Sequence, residues 1–142
     1  MVESVSNTPN QNKGVESVEV LRPRCLLIDD YDGGVKMFNE YFHSFDNFKA
    51  VVCNTVEEAM AAIASYQPKL IFLDHYLTNP VYFNRHEGLE IADQVRVLYP
   101  DIEIYSMVDD AKMVDEYIER GIKRINKNDI IKIQSIISGK KK

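Results

Sequence analysis

The chain has 142 residues, 45% of them apolar and 27% charged, with 17 basic against 22 acidic side chains and a net charge of −5. That length supports one domain with a single substantial core. The acidic balance speaks against a nucleic-acid binder, since the Lys140–Lys142 cluster reads as a solvated tail over residues 139–142. No apolar stretch is long enough to cross a membrane and no signal-peptide apolar region opens the chain, so a soluble, cytoplasmic protein is expected.

Residues 1–23 are rich in Ser, Asn, Gln, Val and Glu and poor in large apolar side chains, the composition of a flexible lead-in. Cys25-Leu26-Leu27-Ile28 is then a short apolar run that meets Asp29-Asp30. Gly33 and Gly34 mark a turn, and Val35, Phe38, Phe42 and Phe45 follow at helical spacing. Phe48 to Cys53 reads as a second strand. Thr55 with Glu58 forms a capping box, which opens a helix striped by Val56, Ala59, Met60 and Ile63. After Pro68, Leu70 to Leu73 is a third apolar run, and it meets Asp74. Leu89, Ala92, Val95 and Tyr99 stripe the next helix, which Pro100 closes. Ile102 to Tyr105 then reaches Ser106. Val114, Tyr117 and Ile118 mark a helix stopped by Gly121, and Ile122 to Asn126 reaches Lys127. Ile130, Ile133 and Ile137 carry the last helix, with Ile131 off the stripe. Short apolar runs alternating strictly with helical patterns predict a doubly wound α/β domain, a five-stranded parallel sheet flanked by five helices.

Two cysteines make no disulfide framework. Cys25 begins the first strand and Cys53 ends the second, so in parallel neighbours the thiols stand at opposite ends and stay reduced.

In a parallel sheet the carboxyl ends of the strands share one edge, and ligands bind there. Four segments therefore bring Asp29, Asp30, Asp74, Ser106 and Lys127 to one crevice. Crowded carboxylates repel one another and favour a cation or a proton. Mg²⁺, a hard cation that takes oxygen ligands, suits them. An aspartate beside it can act as a nucleophile toward phosphorus and form an acyl phosphate. The Lys127 ammonium and the Ser106 hydroxyl are suited to binding the phosphoryl oxygens, and phosphoryl transfer asks for little more than such positioning and charge neutralisation.

With these motifs, in this order, the chain over residues 24–138 resembles the receiver domain of two-component response regulators, of the stand-alone kind found in chemotaxis. The resemblance implies a flavodoxin-like sheet with strand order 2-1-3-4-5. It places Asp29 and Asp30 on the family's acidic pair, Asp74 on the phosphoacceptor, Ser106 on the Thr/Ser that follows the phosphoryl group, and Lys127 on the lysine ending the fifth strand. Mg²⁺ is implied on Asp29, Asp30 and Asp74 and on the backbone carbonyl of Tyr76. The implied partners are a sensor histidine kinase or a histidine phosphotransfer protein as donor and a protein target downstream, with no nucleic acid or membrane. No enzymatic activity is implied beyond self-phosphorylation from a phosphodonor.

The chain departs from the family pattern in four places. Asp74 stands 14 positions before Gly88, a longer loop than usual. Met107 replaces a small side chain and is expected to narrow the approach to Asp74, while Tyr76 and Val108 are expected to flank the attacking water. Asn128 replaces a proline. Arg124 or Ile125 fills the usual aromatic switch position.

Two other readings compete. A degenerate receiver would serve as a binding module without phosphorylation. Asp30-Tyr31-Asp32-Gly33 also fits the DxDG signature of haloacid-dehalogenase-like phosphatases, with Asp30 as nucleophile and Asp32 as acid/base, although no later acidic motif completes that set. His75 and His86 lack the spacing of metal ligands. Tyr76, Tyr82 and Phe83 read as a small cluster that folds their loop down.

Overall fold

Leu26, Leu27 and Ile28 are all fully buried, as are Ile71, Phe72 and Leu73, so neither segment has a solvent face and both belong at the centre of a covered parallel sheet. The computed structural model describes residues 22–74, 87–108 and 111–139. Its strands are β1 (Cys25–Asp29), β2 (Phe48–Val52), β3 (Leu70–Leu73), β4 (Glu103–Ser106) and β5 (Lys123–Arg124). They alternate with α1 (Asp32–Tyr41), α2 (Val56–Tyr66), α3 (Glu87–Leu98), α4 (Ala111–Glu119) and α5 (Ile130–Ile137).

The sheet is parallel throughout, in the order β2-β1-β3-β4-β5 expected of the flavodoxin-like fold. Side chains alternate across it. Leu26, Ile28, Ile71, Leu73 and Ile104 meet α2, α3 and α4, whereas Cys25, Leu27, Leu70, Phe72 and Tyr105 meet α1 and α5. In register, Ile28 lies beside Leu73 and Leu73 beside Ser106, which aligns the three central strand ends.

Local chemistry sets the helix limits. The Thr55 hydroxyl accepts the Glu58 N–H at 3.0 Å, while the Glu58 carboxylate takes the N–H of Asn54 at 2.7 Å, one residue upstream of a strict capping box. Gly121, at φ 74°, supplies the left-handed turn after α4. Gln67 adopts the same region, at φ 55°, to end α2.

Three expectations shift. The fifth strand contracts from residues 122–126 to Lys123–Arg124, because only those two pair with β4 while Ile122 and Ile125 turn into the core. Ile118 is 57% exposed, and Tyr117, 1% exposed, is the buried anchor of α4. Phe45 lies beyond α1 and stacks edge-on against Phe42, which in turn meets Phe48.

Cys25 and Cys53 are buried and free, in the opposite core layers, and burial pushes their thiols up to about 12 and about 11. Among the described residues no helix is long and apolar enough to cross a membrane.

Candidate functional site

Asp29 ends β1 with only 1% of its surface exposed. One carboxylate oxygen folds back on the chain, accepting the N–H groups of Asp30 at 2.7 Å and Tyr31 at 3.3 Å. The other accepts the Lys127 ammonium at 3.0 Å. Asp74 follows β3 and is stitched to β1 through its N–H, which donates to the Ile28 carbonyl at 3.0 Å. Its Oδ1 stands 3.8 Å from the same ammonium. Asp29, Asp30 and Asp74 each offer a carboxylate oxygen, all within 4.8 Å of one another.

The electrostatics follow from that crowding. Burial, then the charge of Asp29, pushes Asp74 up to about 7, against the pull of Lys127. Burial, then the hydrogen bond and charge of Asp29, raises Asp30 as well. Burial acts to lower Lys127, but the three surrounding carboxylates outweigh it and hold the ammonium above its usual range. A single lysine thus faces three acids, and the oxygen-only donor set fits a hard divalent cation. The cluster could hold a metal.

The structure thus brings four of the sequence-derived residues into one group: Asp29, Asp30, Asp74 and Lys127. Ser106 stands at the same sheet edge but is fully buried, and its hydroxyl accepts the Val108 N–H at 3.2 Å. Among the described residues it forms no hydrogen bond to the carboxylates. The Tyr76 carbonyl lies outside the described residues, with His75, Tyr82, Phe83 and His86.

Met107 and Val108 are both buried. Met107 is 5% exposed and packs in the α1/α5 layer, and Val108 is buried in the opposite layer. Of the two candidates for the aromatic position, Ile125 is core, while the exposed Arg124 reaches across to donate to the Val108 carbonyl at 2.8 Å. Sequence reasoning gave Tyr31 no role beside the site. Its ring lies over Gly33 and Gly34 at the start of α1. An aromatic two residues ahead of a glycine pair was the available signal.

No protein-family model and no curated protein sequence matches this chain. Solved structures match it in fold. The BeF3-activated N-terminal receiver domain of RstA from Klebsiella pneumoniae aligns at a TM-score of 0.61 and 17% identity, covering 83% of this chain and 98% of that one. The non-phosphorylated HemR receiver domain from Leptospira biflexa gives 0.59 at 20% identity, covering 82% and 95%. The fold is that of a response-regulator receiver domain. NtrX from Brucella abortus also aligns, at 0.61 and 20% identity over 84% of this chain, which spans only 27% of the NtrX chain. In this receiver fold the acidic group lies where β1 and β3 end, at the sheet edge that parallel α/β folds use for ligands.

Proposed function

We propose that this chain is a phosphoacceptor receiver of a two-component phosphorelay, with Asp74 as the residue modified. The observation that carries the reading is the position of the Asp74 carboxylate at the end of a central strand, beside the Lys127 ammonium and two further carboxylates. The donor is a phosphohistidine of a sensor histidine kinase or histidine phosphotransfer protein. A carboxylate oxygen of Asp74 attacks phosphorus, the N–P bond breaks, and the leaving imidazole nitrogen takes up a proton. Lys127 offsets charge on the phosphoryl oxygens, and the Ser106 hydroxyl donates to one of them once it turns away from Val108. Asp29, Asp30 and Asp74, with the Tyr76 carbonyl, would hold Mg²⁺, whose charge when bound neutralises the entering phosphoryl group. The acyl phosphate is then read by a downstream protein.

The phosphatase reading is disfavoured by Asp32. Its carboxylate is exposed on the first turn of α1 and paired with Lys36 at 3.2 Å, outside the acidic group. The binding-module reading is separated from the leading one by chemistry. Incubation with acetyl phosphate and Mg²⁺, followed by intact-mass measurement, should add one phosphoryl group, which Asp74→Asn abolishes and Asp30→Ala abolishes through the metal. An unmodified wild-type protein would favour the module, and a phosphorylated Asp30 the phosphatase.

A further inference from the structure

Tyr31, which follows Asp30 at the rim of the charged site, is 67% exposed. Its backbone is fixed on both sides. The N–H donates to Asp29 Oδ1 at 3.3 Å, and the carbonyl accepts the Val35 N–H at 3.0 Å. The ring is seated on two glycines. A Cβ added at Gly33 would lie 2.8 Å from Cζ, 2.9 Å from the hydroxyl oxygen and 3.1 Å from Cε2, and one at Gly34 would lie 3.2 Å from Cδ2. The same point at Gly34 is 3.5 Å from Asp29 Oδ2, so the ring edge and the carboxylate both bound the space over that glycine.

The backbone does not require these glycines. Among the described residues the positive-φ glycines are Gly121 and Gly139, whereas Gly33 and Gly34 sit in the first turn of α1, where glycine is a poor helix former. What they provide is room for the Tyr31 ring. One edge of the ring is therefore held against the helix beside the acids, and the rest is open to an incoming molecule.

We infer that Tyr31 is a specificity-determining platform that stacks against the imidazole of the phosphodonor, so that Asp74 accepts phosphoryl groups from imidazole donors in preference to acyl phosphates. The inference rests on the phosphoacceptor reading. A phosphoimidazole carries a flat ring bonded directly to phosphorus, and that ring must lie at the mouth of the site while Asp74 attacks. Acetyl phosphate presents no ring there. Offset or edge-on contact between the two rings lowers the barrier for the first donor and leaves the second unaffected. The transfer itself is unchanged: the O–P bond to Asp74 forms, the N–P bond breaks, and the imidazole keeps the electron pair and takes a proton.

The test measures phosphorylation rates of the full chain with Mg²⁺ from monophosphoimidazole and from acetyl phosphate, for the wild type, Tyr31→Phe, Tyr31→Leu and Gly33→Ala. Tyr31→Leu removes the ring. Gly33→Ala keeps Tyr31 but displaces its ring with a methyl group, in a helix that alanine favours. Both should lower the monophosphoimidazole rate by about two- to tenfold and leave the acetyl phosphate rate in place, while Tyr31→Phe keeps the wild-type ratio. A wild-type ratio in either Tyr31→Leu or Gly33→Ala overturns the inference, as does an equal fall with both donors. A wild type that accepts from neither donor overturns the phosphoacceptor reading and this inference with it. Acceptance from both donors with an unmoved ratio overturns only the inference.

Discussion

Where the strands begin, Arg24 donates two hydrogen bonds to the Tyr66 carbonyl, at 3.0 and 2.7 Å, and lies 4.2 Å over its ring, while the Arg24 carbonyl accepts the N–H groups of Lys69 and Leu70. A groove of about 510 Å³ opens beside them, walled in part by Ile63, Leu98, Tyr99 and Pro100. Where the same strands end, three carboxylates share one lysine, and burial with mutual repulsion pushes Asp74 up to about 7. One edge pairs the Arg24 guanidinium and two backbone carbonyls with partners of suitable chemistry. The other keeps like charges together at a cost in stability, an arrangement whose oxygen donors suit an added cation.

This contrast is sharpest in the pH dependence of Asp74. Below its ordinary value of 3.8 the group is protonated in folded and unfolded chains alike and costs nothing. As pH rises toward about 7 the unfolded chain ionises first, so stability falls, and above that value the full cost is present. Asp74→Asn should therefore stabilise the metal-free protein at pH 8 by on the order of 3 kcal/mol. Urea unfolding should show that gain vanishing near pH 4 and shrinking with saturating Mg²⁺. An equal gain at both pH values would contradict the origin in charge.

Lys127→Met should move the same edge the other way. It strands the buried Asp29 carboxylate without a cation, a loss of about 2 kcal/mol, discounted because 37% of the lysine side chain is already in water. Mg²⁺ should restore part of the loss, and failure to do so would mean that the metal and the lysine do not relieve the same repulsion. The smallest effect belongs to the opposite edge. Gln67→Gly relieves a left-handed residue at φ 55° and should stabilise by about 0.5 kcal/mol. Unlike the other two, that gain should be the same at pH 4 and pH 8 and indifferent to Mg²⁺. Dependence on either would mean that the two edges are coupled.

Much of this was legible in the chain because burial on both sides leaves a plain mark. Leu26 to Ile28 and Leu70 to Leu73 are continuous apolar runs, and each is followed by its acid. The fifth strand was less legible, since Ile122 and Ile125 are apolar for packing and only Lys123 and Arg124 pair. Asp29, Asp74 and Lys127 were identified by position. That the lysine lies nearer Asp29 than Asp74, 3.0 against 3.8 Å, depends on how the turn after β5 returns to β1, which residue spacing does not encode. Ser106 was placed at the right edge, but its engagement with the Val108 N–H is a matter of one side-chain torsion. The contact of Arg124, named only as a candidate for the switch position, and the seat of Tyr31 escaped for a related reason: each acts through a backbone group or a missing Cβ on a neighbour, and neither leaves a trace in hydrophobic periodicity.

The buried amide of Asn47 donates at 2.6 Å to the Pro23 carbonyl and at 2.8 Å to the Ile137 carbonyl, 90 residues away in the chain. A contact of that span cannot form until residue 137 has been made, whereas the pairing of β1 with β2 joins segments close in sequence. The two core layers therefore mature at different times. The layer of α2, α3 and α4 closes as each strand is laid down, but the part of the opposite layer that Ile133, Ile136 and Ile137 cover stays bare until synthesis reaches α5. That layer holds Leu27, Phe72 and Tyr105, and docking of a single eight-residue helix completes its cover.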